Sequence, residues 1–348
     1  MNRILAFPKT GISYNDCFYR ALEHRGVEVV EGMFTGGWLR QNVRRNDWLH
    51  MHWPSFEYRS PKRIQSLIRF ARFALLLLYA HLLGARLIWT AHNLLPHDRC
   101  PLLFIDTMAR RWVILLASLI LVHGPGPAQI LAKKFPGSVG KMVEIPHGHW
   151  IGYYPINLDQ GQARQLLGLT AEDFVFLFVG LCKPYKNLHE LIRVFRSLDL
   201  PARLLVAGKF QDRAYRDQIF ALAADDSRIR IDEGFIADED LQRYLLASNF
   251  VVAPYREILT SGTAMLALSF GRPLISLDVG FLRDVVPQSA GILFDSEDPQ
   301  GLAKALVQAA GTHFDEQGIL DHARQFSYDD AARIVIQAAE RLESAKRP

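Results

Sequence analysis

Two lysines and one short loop are the residues whose types and spacing speak most directly of chemistry. Lys183 and Lys186 stand three apart just after the apolar run Phe174–Gly180, and Thr260-Ser-Gly-Thr263 follows the apolar run Phe250–Ala253. The stretch after Thr263 is apolar and predicts a helix, so Ser261, Gly262 and Thr263 sit where unbonded backbone N–H groups and the positive end of a helix dipole face outward. Capping explains a serine or threonine there, but it does not call for the glycine between them; an approaching phosphate does. Two ammonium groups on the neighbouring turn complete a diphosphate clamp that stabilises a leaving group without a metal.

The first half of the chain offers acid–base groups instead. Nine of the 12 histidines precede residue 150, most of them at the ends of predicted strands, where parallel sheets bind ligands. His50-Met-His52 and His147-Gly-His149 have the alternate spacing of a metal pair, but no set of carboxylates accompanies them, so no metal is expected. A general base has three candidates on loops after strands: Asp16, Glu57 and Asp98. Asp98, with His92 and His97 for neighbours, ranks first, and Glu57, after His52-Trp-Pro-Ser-Phe56, ranks second.

The elements that must position these groups alternate strand with helix from end to end. Strands are expected at Arg3–Phe7, Trp48–His52, Arg86–Thr90, Leu119–Val122 and Lys141–Ile145, then at Phe174–Gly180, Arg203–Gly208, Ile229–Asp232, Phe250–Ala253 and Pro273–Ser276. Such alternation predicts an α/β chain of two Rossmann-like lobes, their parallel sheets facing a central cleft. The expected division is residues 1–155, a basic lobe, and residues 165–325, the lobe that carries the anion clamp. Residues 326–348 form an amphipathic helix that crosses back, and Gly152–Gly168 reads as the linker. No GxGxxG follows the first strand, so no redox dinucleotide and no other cofactor is expected.

Charge separates the halves. Residues 1–150 hold 19 Lys/Arg against 9 Asp/Glu, and residues 151–348 hold 21 against 27. In the basic half, Lys62, Arg63, Arg69 and Arg72 mix with Ile64, Leu67, Ile68, Leu75 and Leu78 at helical spacing, the pattern of a helix lying on an anionic membrane surface. The apolar runs Phe73–Leu83 and Trp112–Val122 are 11 residues each, too short to span a bilayer. Three scattered cysteines, Cys17, Cys100 and Cys182, argue against a disulfide framework and for a cytoplasmic setting. Charge alone admits nucleic acid, but no binding motif accompanies it, and none is expected as a partner.

Gly180-Leu-Cys-Lys-Pro-Tyr-Lys-Asn187 resembles the glycine and lysine signature of GT-B glycosyltransferases related to the large GT4 group. Asp232-Glu-Gly-Phe-Ile-Ala-Asp238 resembles their nucleobase-side loop, and Pro254–Pro273 their donor-binding loop and helix. With Leu49-His-Met-His-Trp-Pro54 and Trp89-Thr-Ala-His-Asn93, the chain is most similar to the bacterial exopolysaccharide β-mannosyltransferases of the xanthan type. The resemblance implies transfer of a hexose, mannose from GDP-mannose with inversion, to a polyprenyl diphosphate-linked glycan, by a peripheral enzyme on the inner face of the cell membrane. It makes residues 1–155 the acceptor-binding, membrane-associating lobe and residues 165–325 the nucleotide-sugar donor lobe, with donor contacts at Lys183, Lys186, Gly208, Phe235, Glu257, Ser261, Gly262 and Thr263, and sugar-end contacts at His52 and His92. Arg99, Arg110, Arg111 and Lys62 would meet the acceptor diphosphate. GT4 members carry two glutamates eight apart here; this chain has Leu266 at the second position and Glu257 one residue off the first. Two other readings keep the fold: a sugar-nucleotide epimerase or hydrolase, and a non-catalytic sugar-nucleotide or polysaccharide binding protein.

Overall fold

The computed structural model describes residues 1–345 as two compact units. One is residues 1–148 together with the segment from Ser327 onward, and the other is His149–Phe326. Each is built on a six-stranded, wholly parallel sheet. In the first unit β1 (Arg3–Phe7), β2 (Glu28–Glu31), β3 (Trp48–Met51), β4 (Arg86–Thr90), β5 (Ala117–Val122) and β6 (Met142–Glu144) run in the order β2-β1-β3-β4-β5-β6. In the second, β7 (Phe174–Val179), β8 (Ala202–Gly208), β9 (Ile229–Glu233), β10 (Phe250–Ala253), β11 (Leu274–Leu277) and β12 (Gly291–Phe294) run β12-β11-β10-β7-β8-β9. The central strands carry apolar residues on both faces, as covered parallel strands must: Trp48, Leu49, Ile88 and Trp89 are almost wholly buried, as are Phe176, Leu177, Val251 and Val252.

The two strands that the sequence pattern does not announce are β2 and β12. Both are four residues long and lie at sheet edges, and β2 reads Glu-Val-Val-Glu, too brief and too polar to stand out. The segment read as a linker carries a helix, Gln160–Leu166, started by a reciprocal cap in which Asp159 accepts from the Gln162 N–H (2.8 Å) and the Gln162 side chain accepts from the Asp159 N–H (2.9 Å). The last helix, Tyr328–Ser344, is capped by Ser327 and packs on the helix Ser13–His24, with Arg25 paired to Asp329. The last described helix thus belongs to the unit in which the chain begins.

In each sheet the chain leaves the first strand on one side and later returns to the other. These reversals fall between β1 and β3, and between β7 and β10, where Phe250 pairs with Phe176. Connections that diverge on opposite faces leave a crevice at the carboxyl ends of such a strand pair, the place where open α/β sheets bind ligands.

Candidate functional site

The β7/β10 reversal collects the groups that the sequence singles out as candidates to bind an anion. β7 ends at Gly180, whose φ of +112° favours glycine, and β8 ends at Gly208, where an added Cβ would lie 1.8 Å from the Gly180 carbonyl oxygen. That backbone contact fixes the floor of the site, so Gly208→Ala is expected to cost about 3 kcal/mol or more, read as a collapse of the melting temperature. Beyond Gly180, Lys183 begins the turn Pro184–Lys186, Asn187 takes a left-handed conformation (φ 60°), and the helix Leu188–Ser197 follows. The turn brings Lys186 inward. Its side chain is buried, its Nζ lies 5.0 Å from the centre of the Tyr255 ring, and no carboxylate pairs with it among the described residues. Burial pulls its pKa below the usual lysine range. A buried ammonium without a counter-ion costs several kcal/mol, a cost that a bound anion would offset.

From β10, Pro254 and Tyr255 lead to the helix Gly262–Ser269. Ser261 caps it, its Oγ accepting from the Ala264 N–H at 3.1 Å. The N–H groups of Gly262 and Thr263 precede any intrahelical acceptor. Tyr255 donates its hydroxyl to Thr263 Oγ1 at 2.8 Å. The Trp150 ring packs over Gly262, 3.3 Å from where a Cβ would stand, and the Trp150 N–H donates to Ser269 Oγ at 2.9 Å. Lys186, Gly208 and Ser261–Thr263 are therefore gathered on adjacent strand ends, with Lys183 half-buried on the same turn. Glu257 is exposed on the loop, Leu266 is a half-buried helix residue, and Phe235 projects into solvent after β9, 79% exposed behind Gly234. Tyr255 and Trp150 went unread in the sequence, although Tyr255 directly follows Pro254 at the strand end.

In the first unit five histidines, His50, His52, His92, His123 and His147, lie beneath the surface, while His24, His81 and His97 are exposed. His50 Nε2 is 2.7 Å from Thr90 Oγ1 and its Nδ1 is 3.0 Å from the Tyr19 hydroxyl; that hydroxyl is 2.7 Å from His52 Nε2, and His52 Nδ1 is 3.0 Å from His92 Nε2. His123 Nε2 meets the Tyr14 hydroxyl at 2.9 Å, and its ring lies 4.9 Å from that of His147. Burial drives all five below the ordinary histidine pKa, His50 to about 3 and His147 to about 4, so the cluster is uncharged at neutral pH. His50 and His52 use both ring nitrogens on hydroxyls and a neighbouring ring, and His147 Nδ1 lies 3.1 Å from the Gly148 carbonyl; among the described residues His123 Nδ1 has no partner and no three metal-binding side chains converge. Trp53 stacks on His92 at 4.6 Å and 15°.

The two leading carboxylates differ in setting. Asp98 is half-exposed and paired with Arg59 (2.8 Å). Glu57 lines a cavity of about 130 Å³ with Phe7, Pro8, Met51, Trp53 and Phe56, at the carboxyl ends of β1 and β3. Burial raises its pKa above the usual carboxylate range, Arg72 partly opposing, and it forms no ion pair among the described residues. The arginines need a correction: Arg110 is not presented to an acceptor. Its guanidinium is buried over the Trp89 ring (4.1 Å) and donates to the carbonyls of Leu94 and Asn93 (2.8 and 3.2 Å), and Arg99 faces Asp106. Lys62 and Arg111 remain exposed.

Residues 173–311, which span the clamp, match the family described as Glycosyl transferases group 1. Over 241 residues, 67% of this chain, the sequence is 31% identical to a GDP-mannose:glycolipid 4-beta-D-mannosyltransferase of Xanthomonas campestris pv. campestris. The match covers 62% of that relative, so the chain spans less than two thirds of its length. A D-inositol 3-phosphate glycosyltransferase of Catenulispora acidiphila is 31% identical over half of this chain and 45% of its own. Among solved structures, Anabaena HepE in complex with UDP and glucose superposes with a TM-score of 0.69 at 17% identity, covering 99% of this chain and all of that one. Sucrose-phosphate synthase from Thermosynechococcus elongatus gives 0.67 at 20% identity, over 86% of this chain and 74% of its own. These structural likenesses establish the fold. The chain carries a glycosyl transferases group 1 domain in its second unit and has the GT-B glycosyltransferase fold.

Proposed function

We propose that this protein is a glycosyltransferase that moves mannose from GDP-mannose, with inversion and without a metal, to a polyprenyl diphosphate-linked glycan in exopolysaccharide assembly. The observation that carries this reading is the buried ammonium of Lys186, without a carboxylate partner among the described residues and linked through Tyr255 to Thr263 at the amino end of the helix Gly262–Ser269. The donor and acceptor classes rest on likeness to the Xanthomonas enzyme. In the proposed step the acceptor hydroxyl oxygen bonds to the anomeric carbon while the bond from that carbon to the diphosphate oxygen breaks. The departing electron pair is received by a diphosphate held by Lys186, Lys183 and the Gly262 and Thr263 N–H groups. The hydroxyl proton passes to a carboxylate base, for which the half-buried Glu57, without an ion pair among the described residues, is a better choice than Asp98, already held by Arg59. His52 and His92 support Trp53 from below, Phe235 offers a face to the nucleobase, and Glu257 remains free to meet a donor hydroxyl.

Incubating the full chain with GDP-mannose and a lipid-linked acceptor, and weighing the product by mass spectrometry, tests the reaction. Gain of one hexose with release of GDP is expected, unchanged by EDTA. Turnover of donor without acceptor would favour an epimerase or hydrolase, and donor binding without turnover a binding protein. Glu57→Gln is expected to lower kcat about a hundredfold or more. Because Glu57 acts deprotonated and its pKa is raised, kcat/KM of the parent should fall on acidification at a pH above the ordinary carboxylate range, and that limb should vanish in the variant.

We propose further that the first unit rests on an anionic membrane surface through its helices Arg63–Leu82 and Leu103–Leu116. Ile64, Ile68, Leu75, Phe104 and Met108 are exposed on them, among the exposed bases Arg63, Arg69, Arg72 and Arg111. No described helix is long and apolar enough to cross a membrane. Exposed apolar groups ringed by cations suit the interface of an anionic bilayer, each base contributing about 1 kcal/mol. Arg69→Glu with Arg72→Glu is expected to weaken sedimentation with phosphatidylglycerol vesicles at least tenfold; unchanged binding would remove the docking face.

A further inference from the structure

The two halves of the clamp reach the site on different strands, and one side chain touches both. Tyr255, 4% exposed, presents its ring face to Lys186 Nζ at 5.0 Å and donates its hydroxyl to Thr263 Oγ1 at 2.8 Å. No carboxylate answers Lys186, so the ring quadrupole is the attractive partner the fold supplies for that ammonium. The direction of the second contact matters equally. Thr263 Oγ1 accepts from tyrosine, which leaves its own proton to be donated elsewhere, toward the end of the helix where the Gly262 and Thr263 N–H groups point.

We propose that Tyr255 is the positioning residue of the anion site. It fixes the Lys186 ammonium with its ring and sets the polarity of the Thr263 hydroxyl, so that a cation, an O–H donor and two N–H donors meet a nucleoside diphosphate together. Its neighbours hold it there: the Arg256 N–H donates to the Tyr185 carbonyl (3.1 Å), tying the loop after β10 to the turn that carries Lys186, and the Tyr185 ring lies 6.2 Å from that of Tyr255. This inference rests on the clamp proposed above, deepens it by naming what aligns its parts, and assigns Tyr255 no contact with the reacting atoms.

Two variants of the full chain separate ring from hydroxyl, with GDP as the probe and titration calorimetry from pH 6.5 to 10 as the readout. Tyr255→Phe keeps the ring and frees Thr263 to turn its proton away; GDP binding is expected to weaken about threefold to tenfold with an unchanged pH profile. Tyr255→Leu keeps an apolar wall without the quadrupole; a further loss of about threefold to thirtyfold is expected, and the alkaline limb, where Lys186 loses its proton, should move to lower pH. Thermal melts check that both variants fold. Binding within twofold of the parent in both, or equal losses with an unmoved alkaline limb, would overturn the positioning role. The clamp itself is read separately through Lys186→Met: if that change weakens GDP binding while the Tyr255 variants do not, only the Tyr255 inference falls, and if the parent binds no GDP both fall together.

Discussion

Lys186→Met is expected to lower donor turnover about a hundredfold to a thousandfold while making the protein harder to unfold. The two halves of this result have one cause. The ammonium is buried without a carboxylate, so the fold bears its desolvation and receives little back until an anion arrives. Methionine fills the same volume without the charge, and removing the desolvation cost should stabilise the second unit by about 1 kcal/mol, an upward melting shift of roughly 2–4 °C. In the proposed reaction the ammonium meets charge that grows on the leaving diphosphate, and loss of one such fixed donor commonly costs two to three orders of magnitude. Lys183→Met should cost less, because that side chain is half-buried and its charge is screened. Parallel turnover assays and melts check both; an inactive variant that is also less stable would mean that Lys186 holds the fold.

The second large effect is on the pH dependence of folding. His50, His52, His92, His123 and His147 are buried and uncharged, each with its pKa pushed below the ordinary value. In the unfolded chain each takes up a proton as pH falls through about 6.5, whereas in the folded chain it does so only at much lower pH. The unfolded state therefore binds more protons in the window between these values, so stability is full above about pH 6.5 and is lost as pH falls. At pH 5.5 each histidine is expected to withdraw about 1.4 kcal/mol, and five together about 7 kcal/mol, comparable with the entire stability of a domain. Urea titrations of the full chain at pH 7.5 and 5.5 should show the first unit losing most of its resistance at the lower pH, and His147→Asn should reduce the slope. Equal stability at the two values would show that the cluster is charged or hydrated in solution.

The sequence made the framework legible because covered parallel strands are largely apolar runs; eight of them mark central or near-central strands, and the edge strands β6 and β9, more polar, were still placed within a few residues by the strand–helix alternation around them. β2 and β12 escaped for lack of length, and the helix Gln160–Leu166 was hidden among Pro, Asn and Gly residues although Asp159 and Gln162 spell its cap. The anion site was legible for a related reason: Lys186 and Ser261–Thr263 follow strand ends directly, and the strand order then brings those ends side by side. Side-chain commitments are another matter. Nothing in Arg110 announces that it will lie over Trp89, nor in Asp98 that Arg59 will hold it, because such pairings join residues 21 and 39 positions apart. Histidines at strand ends read as an open lining from spacing alone, but Tyr14 and Tyr19 of the first helix seal them, a closure visible only once that helix is laid on the sheet.

The central claim is that the second unit grips a nucleoside diphosphate at the β7/β10 reversal, and a crystal structure of the full chain with GDP tests it most directly. Phosphate oxygens are expected within hydrogen-bonding distance, about 2.7–3.2 Å, of Lys186 Nζ and of the Gly262 and Thr263 N–H groups. A diphosphate bound elsewhere, with Lys186 still facing only Tyr255, would contradict it.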